Sequence, residues 1–321
     1  MDTYAFADMP PRTAHLLAFP SHRLVGRHDR DLQNIRLEGR HIFIRIDQLC
    51  LAHCPLELVI AHQDRDLMEQ ILSVMEQAVE TGLAGTKYQD RILGEQVSKV
   101  AAAEQAGRLI PDPIVNEIIR CITAVMESKS SMGVIVAAPT CGSCGCLPGT
   151  VIGLARALSL PREKVVQGLL VAGLVGVFFA EEATFSAEVA GCQVECGAGS
   201  GMAAAALTAM MGGSIENCMD AASVGLQNIT GLACDPVGNR VEWPCLGKNI
   251  MGGSNALASA NMILAGYDKV IPLDETIGAI YEIGLSLPLE LRCTFGGLGK
   301  TKTAREILKR SDAHFPGEEA R

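Results

Sequence analysis

The chain has 321 residues, with 27 Lys+Arg against 36 Asp+Glu and a formal net charge of −9. That length supports a sizeable core in one large domain or two small ones. The acidic balance excludes a general nucleic-acid binder, which needs a basic face to neutralise phosphate. No basic run followed by an apolar stretch and a small-residue cleavage site opens the sequence. The 12 cysteines are therefore read as reduced thiols or metal ligands of a cytoplasmic protein, not as a disulfide framework.

Residues 1–55 form an N-terminal extension, with most of the histidines, an Arg-rich stretch and a β-like run, His41-Ile42-Phe43-Ile44-Arg45-Ile46. That run alternates like an edge strand, and one strand cannot stand alone. Residues 56–321 are expected to be the catalytic domain. From Asp64 to Thr81, Leu67, Ile71, Leu72, Met75 and Val79 recur at helical spacing with acids between them. Asp112-Pro113 is a cap-plus-first-turn pair that opens a second helix through Ile114, Ile118, Ile119 and Val125. Gly133–Ala138 reads as a strand or as an extended lead into the next loop. Pro161 opens a third helix, apolar on every face from Val165 to Ala180. Those 16 residues fall short of the roughly 20 that span a bilayer, so a buried central helix, with no membrane involved, is the expectation. Further helices are expected at 202–211, 215–229, 250–265, 275–283 and 304–310. The predicted class is mostly α: a single large helical domain with Gly/Cys-rich loops between helices and a short N-terminal extension. Small-residue helix surfaces are compatible with a homo-oligomer.

Six of the seven histidines precede residue 63 and the last is His314, whereas Cys141, Cys144, Cys146, Cys192, Cys196, Cys218, Cys234 and Cys245 crowd the middle. A His-dependent triad or a Cys/His zinc site within the middle region is excluded unless a flank or a partner chain supplies the imidazole. Soft thiolate ligation remains open.

Four irregular segments hold the unusual residues. Ala138–Thr150 carries Cys-x-x-Cys-x-Cys beside Thr140, Ser143 and Thr150, leading into a helix N-terminus with free N–H groups that suit a carboxylate. By spacing it can hold a metal, or its cysteines are small residues lining a tight turn. Ala183–Gly201 clusters polar groups among glycines, Glu188 included. Cys234-Asp235-Pro236-Val237 runs to Trp243-Pro244-Cys245, followed by Lys248-Asn249. Its two cysteines each adjoin a proline, as in loops that clamp an iron–sulfur cluster, and Trp243 is placed to shield such a group from solvent. The fourth segment, Arg292–Thr301, ends in a weak echo of a P-loop without the first glycine at the required offset. Nucleotide binding is not expected.

Gly-Cys-Gln-x-Glu, Cys-Asp-Pro-Val and Pro-Cys-x-x-x-Asn, taken in order, resemble the α chain of the iron–sulfur-dependent L-serine dehydratases. The resemblance runs from about residue 60 to 310 and includes Ala137-Ala138-Pro139-Thr140, the alanine-rich helix at 202–207 and Leu289-Glu290-Leu291-Arg292 with Gly296-Gly297. It implies a 4Fe–4S cluster held by Cys192, Cys234 and Cys245, with one iron open as a Lewis acid for the β-hydroxyl of an amino-acid substrate. The aminoacrylate formed would become an imine and hydrolyse to pyruvate and ammonia. Glu188 and Lys248 are the candidate catalytic residues. Thr140, Ser143 and Asn249 are the candidate substrate-binding residues, with Lys248 as a further carboxylate holder. Structural alternatives stand beside these: Asn249 as a helix cap, Ser143 as a turn residue, Lys248 as a solvated charge and Glu188 as structural.

Three features depart from the family pattern: Glu181-Glu182 where Lys-Asn is usual, Arg292-Cys293-Thr294 where Arg-Glu-Thr is usual, and the extra cysteines at 141–146. Cys293 is read as a small buried residue, with a fourth cluster ligand as the alternative. The family's β portion is not visible here. A separate β chain supplies it, or residues 1–62 partly substitute, and a histidine from either source is a candidate base. Two other functions remain in competition. One is a lyase that removes sulfide from cysteine. The other is a non-enzymatic cysteine-rich metal-binding or redox subunit.

Overall fold

The computed structural model describes residues 62–310 apart from Asp90 and Phe295, together with the backbone of 33–37 and 40–44. The chain divides into two units, Met1–Ala61 and His62–Arg321. In the first, β1 (Gln33–Leu37) pairs antiparallel with β2 (Arg40–Ile44). The expected strand at His41 thus has a partner that the sequence did not announce. The side chains of all seven histidines lie outside the described residues, and so does any role for them as a base.

The second unit is helical. α1 (His62–Leu83) buries Leu72, Met75, Ala78 and Val79, while the predicted core position Leu67 is exposed. α2 (Val97–Gln105), which the sequence reading passed over, is short and buries only Val97. α3 (Pro113–Ser130) starts where Asp112-Pro113 requires. The Asp112 carboxylate accepts from the N–H groups of Ile114 at 3.1 Å and Val115 at 3.0 Å, satisfying two otherwise unpaired donors. The segment 133–137 that follows is extended and unpaired, leading into the next loop.

α4 (Cys146–Leu158) lies against α3 at close range. Gly149 and Gly153 allow it: a Cβ on either would meet the backbone of Ile122 or Ile118 at 2.6 or 2.7 Å. α5 (Arg162–Glu182) and the four-residue α6 (Ala187–Ala190) lead into α7 (Cys196–Met210), and then α8 (Ile215–Gln227), α9 (Cys245–Leu264), α10 (Leu273–Ser286) and α11 (Lys302–Arg310) follow. α7 and α9 each begin before the apolar periodicity does, because their first turns carry Gly, Cys and polar residues of the loops.

The central helix is α7, not α5. α4, α5, α8 and α9 all pack on α7, which buries every residue except Ala209. A Gly/Ala/Ser sequence leaves a thin rod that neighbours can approach from every side. The bulkier α5 buries Val165, Leu169, Ala172, Val175 and Phe179 but leaves Leu170, Leu174, Val177 and Phe178 half-buried, correcting the expectation that it is enclosed. Among the described residues α5 alone is long and apolar enough to cross a bilayer by length and composition, and half of that stretch is buried.

Two glycine substitutions test the packing. Gly153→Ala puts a methyl into the Ile118 backbone and is expected to cost about 1–3 kcal/mol. Gly173→Ala, in α5 with open space at the Cβ position, is expected to stabilise by about 0.4–1 kcal/mol. Urea unfolding midpoints of the two variants check the pair.

Candidate active site

Three segments converge at the N-terminal ends of α7 and α9. The first begins at Gly191, whose φ of +76° is one that L side chains rarely adopt, and a Cβ there would meet the Leu232 carbonyl at 3.0 Å. This turn delivers Cys192 into a single 3-10 turn, Cys192–Val194, just before α7. Buried Gln193 holds it in place. Its Oε1 accepts from the Gly231 N–H at 2.6 Å, its Nε2 donates to the Ala190 carbonyl at 3.1 Å, and its backbone N–H donates to the Leu232 carbonyl at 3.3 Å.

The second segment carries Cys234. Its N–H donates to the Leu291 carbonyl and its own carbonyl accepts from the Cys293 N–H, both at 2.8 Å. Next to it, buried Asp235 accepts from Lys248 Nζ at 2.6 Å and from the Leu298 N–H at 2.9 Å. The third segment brings Cys245 to the first turn of α9 behind a cis Trp243-Pro244 bond. Glu242 anchors this segment: its Oε2 accepts from the N–H groups of Ile92 and Leu93, each at 3.0 Å.

The sulfurs of Cys192 and Cys234 and a Glu195 carboxylate oxygen lie within 4.8 Å of one another. Beside them opens a cleft of about 510 Å³ whose wall includes Thr140, Cys141, Glu195, Cys234, Cys245 and Cys293. Its rim carries Thr184, Ser186, Glu188 and Phe185, the last stacked on Phe179 at 5.4 Å.

The electrostatics separate these thiols. Hydrogen bonds from Cys196 and Cys234, helped by the Lys248 ammonium, hold the Cys192 thiol well below its ordinary value despite burial. Cys196 is raised by its hydrogen bond with Cys192 and by burial. Cys234 is raised by its hydrogen bonds with Cys192 and Cys293, then by burial. Burial pushes Cys245 up to about 12. Neighbouring sulfurs, one of them more acidic than an ordinary thiol, make a soft donor site. Glu195 is raised to about 7, first by burial and then by the Cys192 charge, although Thr140 Oγ1 donates to it at 2.6 Å.

The sequence-predicted residues part company here. Cys234 and Cys245 line the cleft, and Cys192 stands against Cys234. Thr140 lines it too, through Glu195. Glu188 is exposed at the rim, accepting from Ser186 Oγ at 2.8 Å. Ser143 is fully buried, sharing a hydrogen bond of 3.1 Å with Thr140 Oγ1.

Lys248 is turned to Asp235 and the Ala233 carbonyl. Burial works against its charge, yet the Asp235 hydrogen bond and nearby sulfur charge outweigh that and hold its pKa above the ordinary lysine value. It is a permanent cation, not a solvated loop charge. Asn249 is wholly buried and caps the neighbouring helix. Its Oδ1 accepts from Gly145 N at 3.1 Å and Cys146 N at 2.8 Å, and its Nδ2 donates to the carbonyls of Gly142 and Cys245. The N–H groups expected to be free for a carboxylate are therefore engaged.

Trp243 is 45% exposed and outside the cleft wall, so it shields nothing there. Cys293, read as a small buried residue, is half-buried and faces the cleft. Glu195 is the residue the reading missed. It lies three positions after Cys192, a spacing that a helical turn folds onto one side.

A family model for the serine dehydratase alpha chain matches residues 26–298. The chain belongs to this family. The probable L-serine dehydratase alpha chain of Bacillus subtilis (strain 168) is 42% identical over 244 residues, covering 76% of this chain and 81% of that protein. The L-serine dehydratase alpha chain of Peptoniphilus asaccharolyticus is 38% identical over 205 residues, 64% of this chain and 70% of its own. L-serine dehydratase 1 of Escherichia coli (strain K12) is 33% identical over 176 residues, which is 54% of this chain but only 39% of that longer protein. The motifs that carry the resemblance in the sequence, Gly-Cys-Gln-x-Glu, Cys-Asp-Pro-Val and Pro-Cys-x-x-x-Asn, fall on the three converging segments.

Asn249→Ala would leave two buried N–H and two carbonyl groups without their side-chain partner. A stability loss of about 2–4 kcal/mol is expected, since each orphaned buried group costs about 1–3 kcal/mol and some re-pair. Denaturant unfolding of the purified chain measures it.

Proposed function

We propose that the chain is the α subunit of an L-serine dehydratase, eliminating water from L-serine to give pyruvate and ammonia. The observation that carries the reading is a cleft lined with hydroxyls, an acid, Cys234 and Cys245, with the sulfur of Cys192 set close to that of Cys234 and to Glu195. The donor set fits an iron–sulfur cluster, because the sulfurs are soft ligands, the Cys192 thiol is held well below its ordinary value, and no histidine occurs between residues 63 and 313. When bound, the cluster supplies a Lewis-acidic iron for the departing hydroxyl.

The chain's own groups do the rest. Thr140, Thr184 and Ser186 offer hydroxyls to the polar ends of an amino acid entering the cleft. Glu195, which sits deeper than Glu188, is the acid placed to take the Cα proton. Thr140 Oγ1 holds its Oε1 and so fixes which way the carboxylate faces. Lys248 keeps its proton and steadies Asp235, and with it the backbone that carries Cys234. The aminoacrylate that leaves becomes an imine, and water hydrolyses it to pyruvate and ammonia.

The names of the α-chain relatives, and the longer single-chain relative that this chain matches over 39% of its length, support a separate β chain as partner. Reduced thiols in the cleft suit a cytoplasmic setting.

Anaerobic purification followed by iron and sulfide analysis tests the cofactor, and pyruvate release from L-serine against L-cysteine tests the substrate. Iron with sulfide and a preference for L-serine are expected; zinc at one per chain with no iron overturns the reading. Cys192→Ala, Cys234→Ala and Cys245→Ala should each lose bound iron, a result readable without turnover. Glu195→Gln is expected to lower kcat by about 10²–10⁴-fold, and Glu188→Gln by less than about tenfold. The reverse order would hand the proton to Glu188.

A further inference from the structure

Cys293 stands where the resembling pattern has an acid, and its backbone is unusual. Its φ is +57°, in the left-handed region that a non-glycine residue rarely occupies. Two 2.8 Å hydrogen bonds hold this strained residue against Cys234: Cys234 N–H to the Leu291 carbonyl, and Cys293 N–H to the Cys234 carbonyl. Cys234 and Arg292 form a parallel bridge, so Cys293 is one residue out of step with Cys234. In a regular ladder that offset would send the two side chains to opposite faces. The left-handed turn undoes the alternation, and Cys293 packs against the buried cluster formed by Ala187, Cys192, Cys196 and Cys234. Both residues line the cleft, and Cys293 is the more exposed of the two, so a small solute reaches it first.

We propose that Cys234 and Cys293 are a reversible oxidation site: in the metal-free chain a peroxide joins them in a disulfide that removes Cys234 from the ligand set. The last clause rests on the reading of Cys234 as a ligand; the bond itself does not. The Cys293 sulfur attacks hydrogen peroxide, giving up its proton and taking one oxygen to form a sulfenic acid as hydroxide leaves. The Cys234 sulfur then displaces the second hydroxide to form the S–S bond. In sum, two thiols and one hydrogen peroxide give one disulfide and two waters. The Cys234–Arg292 bridge and the bond from the Cys293 N–H to the Cys234 carbonyl hold the two backbones side by side, as a disulfide requires. The bond also protects the Cys234 sulfur from irreversible oxidation until a dithiol reopens it.

The test uses the full-length metal-free chain, exposed to stoichiometric hydrogen peroxide, with thiol titration and peptide mapping by mass spectrometry. The expected result is loss of one pair of thiols, a cross-linked peptide joining Cys234 to Cys293, and iron uptake at least tenfold lower until dithiothreitol is added. Cys293→Ser and Cys293→Ala, each checked for native circular dichroism, should form no cross-link at Cys234. A bond between Cys192 and Cys234, or equal thiol loss in both Cys293 variants, overturns the proposal. So does a cross-linked chain that takes up iron as readily as the reduced one. If no form binds iron, the cluster reading fails while the cross-link still decides whether this pair is oxidised together.

Discussion

The fold's functional end depends on one buried amide. Asn249, inside α9, spends its side chain on groups from other segments. It accepts from the first N–H groups of α4, and donates to the carbonyl of Gly142 and to that of Cys245 one turn back. Its Nδ2 also reaches Cys196 Sγ at 3.7 Å, at the start of α7. Three helix N-termini and their thiol-bearing loops are thereby held in register. No solvent reaches this residue, so water cannot replace any of those partners, and the geometry has little freedom to drift.

Around that point the architecture does two different jobs. The small-residue helix α7 lets four neighbours approach closely, which brings loops far apart in sequence to one end of the bundle. The loops are then pinned by buried polar side chains. Gln193 fixes the Cys192 turn, Asp235 with Lys248 fixes the Cys234 segment, and Glu242 fixes the approach to Cys245. Each is buried or nearly so and each is satisfied by hydrogen bonds, which is what a polar group needs to remain in such a place. The result is a rigid frame beside an open cleft whose wall contains Cys141 and Cys293 as well as Cys234 and Cys245.

The candidate site was partly legible. Cys192, Cys234 and Cys245 stood out because each lies in a short motif rich in Gly or Pro, and such motifs mark backbone that must turn sharply. Glu195 was overlooked in favour of Glu188, although both sit near Cys192 in sequence. Only the 3-10 turn after Gly191 shows that the acid three residues later is buried beside the sulfur and the earlier one is left at the rim. Asn249 and Ser143 carried the right residue type for binding a substrate. Their hydrogen-bond capacity is taken up internally: Asn249 mainly by groups 103 to 107 positions away, and Ser143 by Thr140 three residues earlier, through a local turn whose geometry the sequence does not show. The central helix was misplaced for a related reason: hydrophobicity favours α5, whereas closeness of approach favours α7.

The sequence by itself determined the mostly helical class, the capped start of α3, the absence of imidazole from the middle of the chain, and the three cysteines worth watching. These follow from local rules: the 3.6-residue period, the donor needs of a helix N-terminus, and the counting of residue types. The tertiary structure decided which helix is central, which acid is buried, and which polar side chains are already satisfied. It also brought Cys293 against Cys234. Those outcomes depend largely on contacts between residues tens of positions apart, up to the 107 that separate Asn249 from Gly142. Only packing brings such residues together, because no local preference carries information about a distant partner.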